Sequence, residues 1–297
     1  MRLAFVTFRA LPQLSDDDRL AVRDLGKHGV TVESAVWDSP LVDWSIYDAV
    51  VLRSPWDYHE RADEFEAWLA RVERLGVPVW NPPNLVRWNM DKRYLLDLAA
   101  RGVNTVPTRH IVRGSTVTLA EVLALTGWRD VVYKPAVSAS GFRTARLTTG
   151  DESAHEPAFA TLVREHDVLV QPFLPEVVED GEWSLVFLGQ QYSHAVKKRA
   201  RAGEFRVQSG YGGSVAADAP RGALIAQAEA LVSHLPSPWL YARVDGCETE
   251  GQLVLMELEL VDPELFLSYH PSAPRRFSAA LRQAAAGRRT PLAFTPR

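Results

Sequence analysis

WLYARVDGCETEGQLVLMELELVDPELFL, residues 239–267, reads as two strands joined by a turn. Strand alternation puts Tyr241, Arg243 and Asp245 on one face of the first strand and Glu257 and Glu259 on one face of the second. The opposite faces are apolar, with Leu240, Ala242 and Val244 on the first strand and Val254, Met256, Leu258 and Leu260 on the second. Two carboxylates two residues apart on a half-buried strand repel each other, and each is pushed toward its neutral form unless a cation intervenes. A hairpin through Gly246 and Gly251 brings Asp245 beside them. Three hard oxygen donors near an arginine suit magnesium bridging phosphates better than zinc, which prefers nitrogen and sulfur. An amphipathic hairpin whose acidic face simply meets water has the same pattern, so this stretch alone leaves both readings open.

The 297 residues are enough for a large core and two or more domains. A hydrophobic content of 46% with 24% charged residues is that of a soluble globular chain. The net charge of −4 gives no long-range attraction to nucleic acid or anionic membrane, and no window reaches transmembrane length. One cysteine, Cys247, excludes an intrachain disulfide and fits a reducing compartment. The opening MRLAFVTFRALP lacks the long apolar core and cleavage site of a signal peptide, so the expected location is cytoplasmic.

Around this hairpin the chain begins as an alternation of strand and helix. Residues 3–8 are an apolar strand, Ser15 and the acids after it start a helix ending near Gly29, and residues 30–37 and 49–52 read as further strands. Phe65, Trp68, Leu69, Val72 and Leu75 then recur at helical spacing, and residues 77–80 make a fourth strand. This is the pattern of an open parallel α/β sheet, whose ligands bind at the carboxyl ends of the strands. The loop RSPWDYH, residues 53–59, lies at such an end. Arg53, Trp56 and Tyr58 offer a cation and two rings to a small anionic substrate; an aromatic loop that closes the sheet would look the same.

Asn81-Pro82-Pro83 is the best candidate linker. A helix is expected over residues 91–101, with Lys92 in its first turn, where a cation opposes the helix dipole. The strand over residues 130–134 ends in Lys134 and is followed by the small-residue loop Ser138-Ala139-Ser140-Gly141, which could present backbone N–H groups to a phosphate. Residues 168–170 lead into Gln171-Pro172-Phe173, and a hairpin through Gly189 returns with Lys197, Lys198 and Arg199 toward Arg206 and a glycine-rich turn. That basic run is either a solvated face or a lid over phosphates. Residues 275–286 read as a closing surface helix. P-loop, GxGxxG, HExxH and paired CxxC signatures are absent from the sequence.

In this order the pieces resemble the ATP-grasp superfamily over residues 89–267. The resemblance is carried by a helix-borne lysine, VVYKP, the small-residue loop, VLVQPFLPE, GEWSLVFLG, KKRARAGEFRVQSGYGG and VDG…MELEL. It implies an α/β ATP-grasp architecture: an N-terminal open parallel domain over 1–88, a central subdomain over 89–172 and a C-terminal subdomain over 173–297 carrying the metal site. It further implies that Lys92, Lys134, Ser138, Ser140 and Gly141 meet ATP phosphates, that Gln171 and Phe173 meet adenine, and that Glu182 holds the ribose. Asp245, Glu257 and Glu259 would hold Mg2+, while Lys198, Arg206 and Arg243 would face the reacting groups. Relatives commonly carry asparagine where Glu259 stands and arginine where Ser184 stands, so this chain has an extra charge at the metal and one cation fewer at the phosphates.

The length and the stretches RSPWDYH, SHAVKKR and DPELFL are similar to short stand-alone ligases of the superfamily, of the type that closes O-ureido-D-serine to D-cycloserine. The implied chemistry is ATP-dependent amide formation through an acyl phosphate on a small amino-acid-like substrate, placing the chain in antibiotic biosynthesis. Phosphoryl transfer of this kind needs positioned cations rather than a protein nucleophile. A small-molecule kinase, an intermolecular ligase and a nucleic-acid-binding module remain the alternatives, and homo-oligomerisation stays open.

Overall fold

The computed structural model describes residues 1–286, so the last eleven residues of the C-terminal segment lie outside the described part. The first layer is a parallel sheet of β1 (Arg2–Thr7), β2 (Thr31–Val36), β3 (Ala49–Ser54) and β4 (Val79–Trp80), in the order β2-β1-β3-β4. Every residue of β3 is buried, as expected for a central parallel strand covered on both faces. α1 (Asp16–Gly26) starts at Ser15, whose Oγ accepts from the Asp18 N–H. α2 (Ala62–Arg74) buries Phe65, Trp68, Leu69 and Val72 against this sheet, but Leu75 falls past its end and is exposed.

Two short helices follow, α3 (Pro83–Met90) and α4 (Tyr94–Ala100). The expected helix over 91–101 therefore begins at Tyr94, and Lys92 lies in the turn before it rather than against a helix dipole. The second sheet is antiparallel, β5-β8-β6-β7, built from β5 (Arg109–Ile111), β6 (Asp130–Pro135), β7 (Ala145–Thr148) and β8 (Val168–Pro172). α5 (Leu119–Thr126), opened by a Thr118–Glu121 capping box, and α6 (Glu152–Glu165) pack on one of its faces.

After the single turn α7 (Glu176–Glu179), a five-stranded antiparallel sheet runs β11-β10-β9-β12-β13. Its strands are β9 (Glu182–Leu188), β10 (Gln191–Arg199), β11 (Ser214–Ala217), β12 (Tyr241–Thr249) and β13 (Gln252–Glu259). α8 (Gly222–Val232) and α4 fill one side with Leu224, Leu231, Leu95 and Leu98. On the other side α9 (Ala273–Ala286) and β1 bring Phe277 and Phe5 against Val186, Val196 and Tyr241.

The β12–β13 hairpin forms, with one difference from the expected alternation. Asp245 pairs with Glu257 but Gly246 pairs with Leu255, so Met256 is an extra residue in a bulge. The bulge changes the phase of β13: Leu253 and Leu255 face the core before it and Leu258 and Leu260 after it, whereas Met256 turns to the cleft. Gly246 serves the bulge and not the turn, since a Cβ there would sit 2.3 Å from the Val254 carbonyl oxygen.

Residue 81, expected in a linker, is instead fastened. Asn81 is fully buried; its Nδ2 donates to the Tyr241 and Leu260 carbonyls, both at 2.8 Å, and its Oδ1 accepts from the Leu240 N–H at 2.6 Å. The first and third sheets also meet at Arg53, which is 1% exposed. Its Nε donates to Asp18 Oδ1 at 2.7 Å, its Nη2 to the Pro263 carbonyl at 3.0 Å, and its guanidinium lies against the Tyr241 and Phe277 rings. Arg53→Met would leave Asp18, only 2% exposed, without its counter-ion. Urea unfolding is expected to show a loss of about 3–5 kcal/mol; a loss below about 1 kcal/mol, the level of an exposed pair, would remove Arg53 as the pin of this seam.

Candidate active site

The three sheets enclose a cleft of about 560 Å³. It is lined by Trp56, Tyr58, Lys92, Lys134, Ser138, Ser140, Gly141, Gln171, Phe173, Glu182, Lys198, Arg206, Arg243, Asp245, Glu257 and Glu259. Of the residues assigned to nucleotide, metal, substrate or reacting groups in the sequence, Arg53 is the one that does not line it. Arg53 was expected to hold an anionic substrate, and that expectation is corrected: its donors are turned to Asp18 and Pro263 at the seam.

The floor of the cleft is an alternation of acids and bases on the third sheet. Cross-strand register sets Asp245 opposite both Glu257 and Ser184, and Arg243 opposite Glu259. Arg243 reaches Asp245 at 2.8 Å and Glu259 at 2.5 Å, and Lys198 reaches Glu182 at 2.5 Å and Asp245 at 3.3 Å. Ser184 donates its hydroxyl to Asp245 Oδ1 at 2.6 Å. Burial opposes the charge on Asp245, but Arg243 and Lys198 outweigh it and hold the carboxyl down at about 2. For Glu259 burial prevails over Arg243, and with Glu257 and Asp245 nearby its carboxyl is pushed up. Glu182 is likewise pushed up by burial, against the pull of Lys198.

Lys92 Nζ lies 3.0 Å from Glu257. Lys92 also donates to the Ser138 carbonyl, tying the second sheet's loop to the hairpin. With Lys134 it draws the Glu257 carboxyl down against the effect of burial. Burial lowers Lys134 itself. Above these lysines, Ser138 Oγ donates to the Pro135 carbonyl and Gly141 adopts φ +72°, with Tyr211 and Arg206 packed where a side chain would start. Arg206 stacks 3.6 Å over the Tyr211 ring and pairs with Glu204 at 2.8 Å, so the glycine-rich segment closes over residues 138–141. At the hinge, Gln171 Nε2 donates to Thr108 and the Phe173 ring contacts Phe205.

The basic run divides as strand alternation requires. Lys198 points into the cleft, while Lys197 pairs with Asp180 at 2.5 Å and lies over the Trp183 ring. Both lysines are buried, so the solvated-face reading does not hold for them. Cys247 is buried too, against Gly181 and Met256, and burial pushes its thiol well above the ordinary range.

The cleft is lined as well by Val261, Asp262, Glu264, Phe266 and Tyr269, from the segment after β13. The acidic groups Asp262 and Glu264 were not singled out in the sequence; DPELFL entered only as a stretch, and a single Asp before a proline carries no spacing signal. Trp56 Nε1 donates to the Asp262 carbonyl at 3.1 Å.

The profile of the D-cycloserine synthetase DcsG N-terminal domain matches residues 3–81. The cycloserine biosynthesis protein DcsG of Streptomyces lavendulae is 35% identical over 268 residues, covering 85% of this chain and 88% of that protein. The chain belongs to the DcsG family of ATP-grasp ligases. A crystal structure of D-cycloserine synthetase DcsG superposes with a TM-score of 0.87 at 32% identity, over 96% of this chain and 100% of that one. The D-alanine–D-alanine ligase of Bacillus anthracis complexed with ATP shares the fold, with a TM-score of 0.68 at 15% identity over 97% and 98% of the two chains. Like its DcsG relatives, the chain is an ATP-dependent ligase. No described helix is long and apolar enough to cross a membrane.

The DcsG-family cleft fits a magnesium ion in part. Among the described residues, no three His, Cys, Asp or Glu side chains are gathered into a cation cage, because Lys92, Arg243 and Lys198 stand between the carboxylates. Glu257 and Glu259 keep 27% and 26% of their side-chain surface open to the cleft, whereas Asp245 keeps 3% and has both oxygens engaged. The two glutamates therefore suit a metal that completes its shell with phosphate oxygens and water.

Asp262 titrates unlike its neighbours. Burial raises its carboxyl from an ordinary 3.8 to about 7, against the pull of Lys92, Arg53 and Arg243. Between those values the folded protein keeps a proton that the unfolded chain releases, so stability is present below about 4 and is lost as pH rises through about 7. Relative to the parent, Asp262→Asn is expected to gain up to about 4 kcal/mol between pH 4 and pH 8. Parallel stability–pH curves for the two proteins would rule this linkage out.

Proposed function

We propose that the chain activates the carboxylate of a small amino-acid derivative as an acyl phosphate and closes it onto a nitrogen of the same molecule, in the manner of O-ureido-D-serine closing to D-cycloserine. The observation that carries the reading is that one cleft holds both sets of groups: Lys92, Lys134, Lys198 and Arg206 with the small-residue loop 138–141, and Trp56 and Tyr58 from the loop after β3. The family membership supports the substrate class.

In this reading Lys92, Lys134 and the loop over 138–141 bind the ATP phosphates, Gln171 and Phe173 flank adenine, and Glu182 takes the ribose. Glu257 and Glu259, with Asp245 behind them, would hold Mg2+, which neutralises phosphate charge during transfer. The substrate carboxylate attacks the γ-phosphorus and ADP leaves, with Lys198, Arg206 and Arg243 offsetting the charge on the transferred group. The O-bound ureido nitrogen then attacks the acyl carbon, its proton is lost and phosphate departs; water then cleaves the carbamoyl group from the ring nitrogen, releasing it as carbamate and leaving D-cycloserine. Arg206 and Tyr211 close the cleft and keep water from the acyl phosphate. Holding both reactive groups in one bent molecule gives the advantage of an intramolecular step.

Incubation with MgATP and O-ureido-D-serine alone is expected to release phosphate and give a cyclic amide by mass. A requirement for a separate amine would overturn cyclisation while leaving ligation, and a phosphate ester product would overturn ligation itself. Lys134→Met is expected to weaken ATP binding roughly tenfold or more by calorimetry without unfolding the protein, since it removes charge-assisted bonds to phosphate. Unchanged affinity would take Lys134 out of the nucleotide site.

A further inference from the structure

We propose that Asp262 is the specificity-determining carboxylate that receives the substrate's α-amino group, so that the cleft selects amino acids over carboxylic acids lacking that group. The inference rests on the amino-acid reading above and adds the residue that enforces it.

Asp262 is 8% exposed and lines the cleft, and its Oδ2 is buried without a hydrogen-bond partner. A buried carboxylate oxygen in this condition is costly unless a donor reaches it. The cations that surround it are committed elsewhere. Lys92 is held by Glu257 and the Ser138 carbonyl, Arg53 by Asp18 and the Pro263 carbonyl, and Arg243 by Asp245, Glu259 and the Glu264 carbonyl. The Asp262 carboxyl thus lines the cleft with its buried Oδ2 unanswered, while three neighbouring cations are held by other groups.

Its place fits an α-amino group. Asp262 lines the same cleft as Glu257 and Glu259, near which the substrate carboxylate must meet the γ-phosphate, and an α-amino group is one carbon removed from that carboxylate. Trp56 and Tyr58 line this cleft too, and aromatic ring faces favour a cation over an anion. The Trp56 indole also fixes the Asp262 backbone through its carbonyl, so the carboxylate is presented from a rigid support. A carboxylic acid lacking the amino group would leave the Asp262 carboxyl unpaired, which is the basis of rejection.

The test is calorimetry with the Mg2+ complex of a non-hydrolysable ATP analogue, using O-ureido-D-serine and the same molecule without its amino group, 3-(ureidooxy)propanoate. The parent is expected to bind the amino compound about 10- to 100-fold more tightly. Asp262→Asn should reduce that preference to about twofold, leaving the des-amino compound and the ATP analogue bound as before. Asn is isosteric, and a thermal midpoint at or above the parent's would show that the variant is folded; Asp262→Ser serves as a second variant. A parent with no preference, including one that binds neither compound, would overturn the assignment. So would a preference that survives in both variants, or an equal loss for both compounds. Product analysis tests the other reading separately: selective binding without cyclic amide would defeat the cyclisation and leave Asp262 as the amino-group acceptor.

Discussion

The constraint on which this structure turns is the burial of opposite charges in register. A cleft that is to manage phosphate and metal needs carboxylates and cations side by side, and burial makes each of them unstable alone. The third sheet solves this through strand alternation and cross-strand pairing. Arg243 stands two residues from Asp245 on β12 and opposite Glu259 on β13, so one guanidinium answers two carboxylates. Lys198 on β10 reaches across β9 to do the same for Glu182 and Asp245. Such a lattice adds little net stability compared with an apolar floor. What it provides is a set of charges held in place before nucleotide arrives, so less reorganisation is needed at the reaction.

Those charges lie on and beside β13, which is the edge of its sheet, and an edge strand offers unpaired backbone groups. Here side chains from the preceding segment take them up. Asn89 accepts from the Leu260 N–H and donates to the Leu258 carbonyl, and the Tyr94 hydroxyl accepts from the Leu258 N–H. Further along, Asn104 donates to the Leu253 carbonyl and Gln227 accepts from the Leu253 N–H. The region between the first and second sheets is therefore a brace for the hairpin, which explains why Asn81 is locked rather than loose.

Most of the architecture was legible because its signals are local. The apolar runs of the first sheet, the Lys134 strand end, the Gly189 hairpin and the acidic alternation on β13 each follow from periodicity and turn chemistry. The errors share a different cause. Arg53 has the residue type of an anion binder, and what decided otherwise was Asp18, thirty-five residues earlier on α1, together with the Pro263 carbonyl. The bulge at Met256 is set by the fit between two strands, and Gly246 looks like a turn residue until its partner strand is known. Lys92 beside Glu257 and the acidic acceptor at Asp262 depend on contacts across more than a hundred residues, which no window of sequence contains.

The loop over residues 261–268 shows how the first sheet governs a site to which it contributes few side chains. Each carbonyl from Val261 to Phe266 meets a side chain from elsewhere, as do two of the N–H groups. Tyr241 donates to the Val261 carbonyl, Trp56 to that of Asp262, Arg53 to Pro263 and Arg243 to Glu264, and the Asp17 carboxylate accepts from the N–H groups of Leu267 and Ser268. His194 Nε2 lies 3.0 Å from both the Leu265 and Phe266 carbonyls. Two acceptors at one nitrogen require that nitrogen to carry the proton, so Nδ1 is the acceptor for the Ser193 hydroxyl. Burial brings this imidazole down to about 4, and it therefore remains a neutral donor at physiological pH. With its carbonyls fixed, the loop can hold Phe266 in a left-handed conformation, φ 50°, and keep that ring at the cleft wall. Arg53 thus matters to the substrate end without touching it: it holds the carbonyl next to Asp262, and the position of that carboxylate is set from the first sheet.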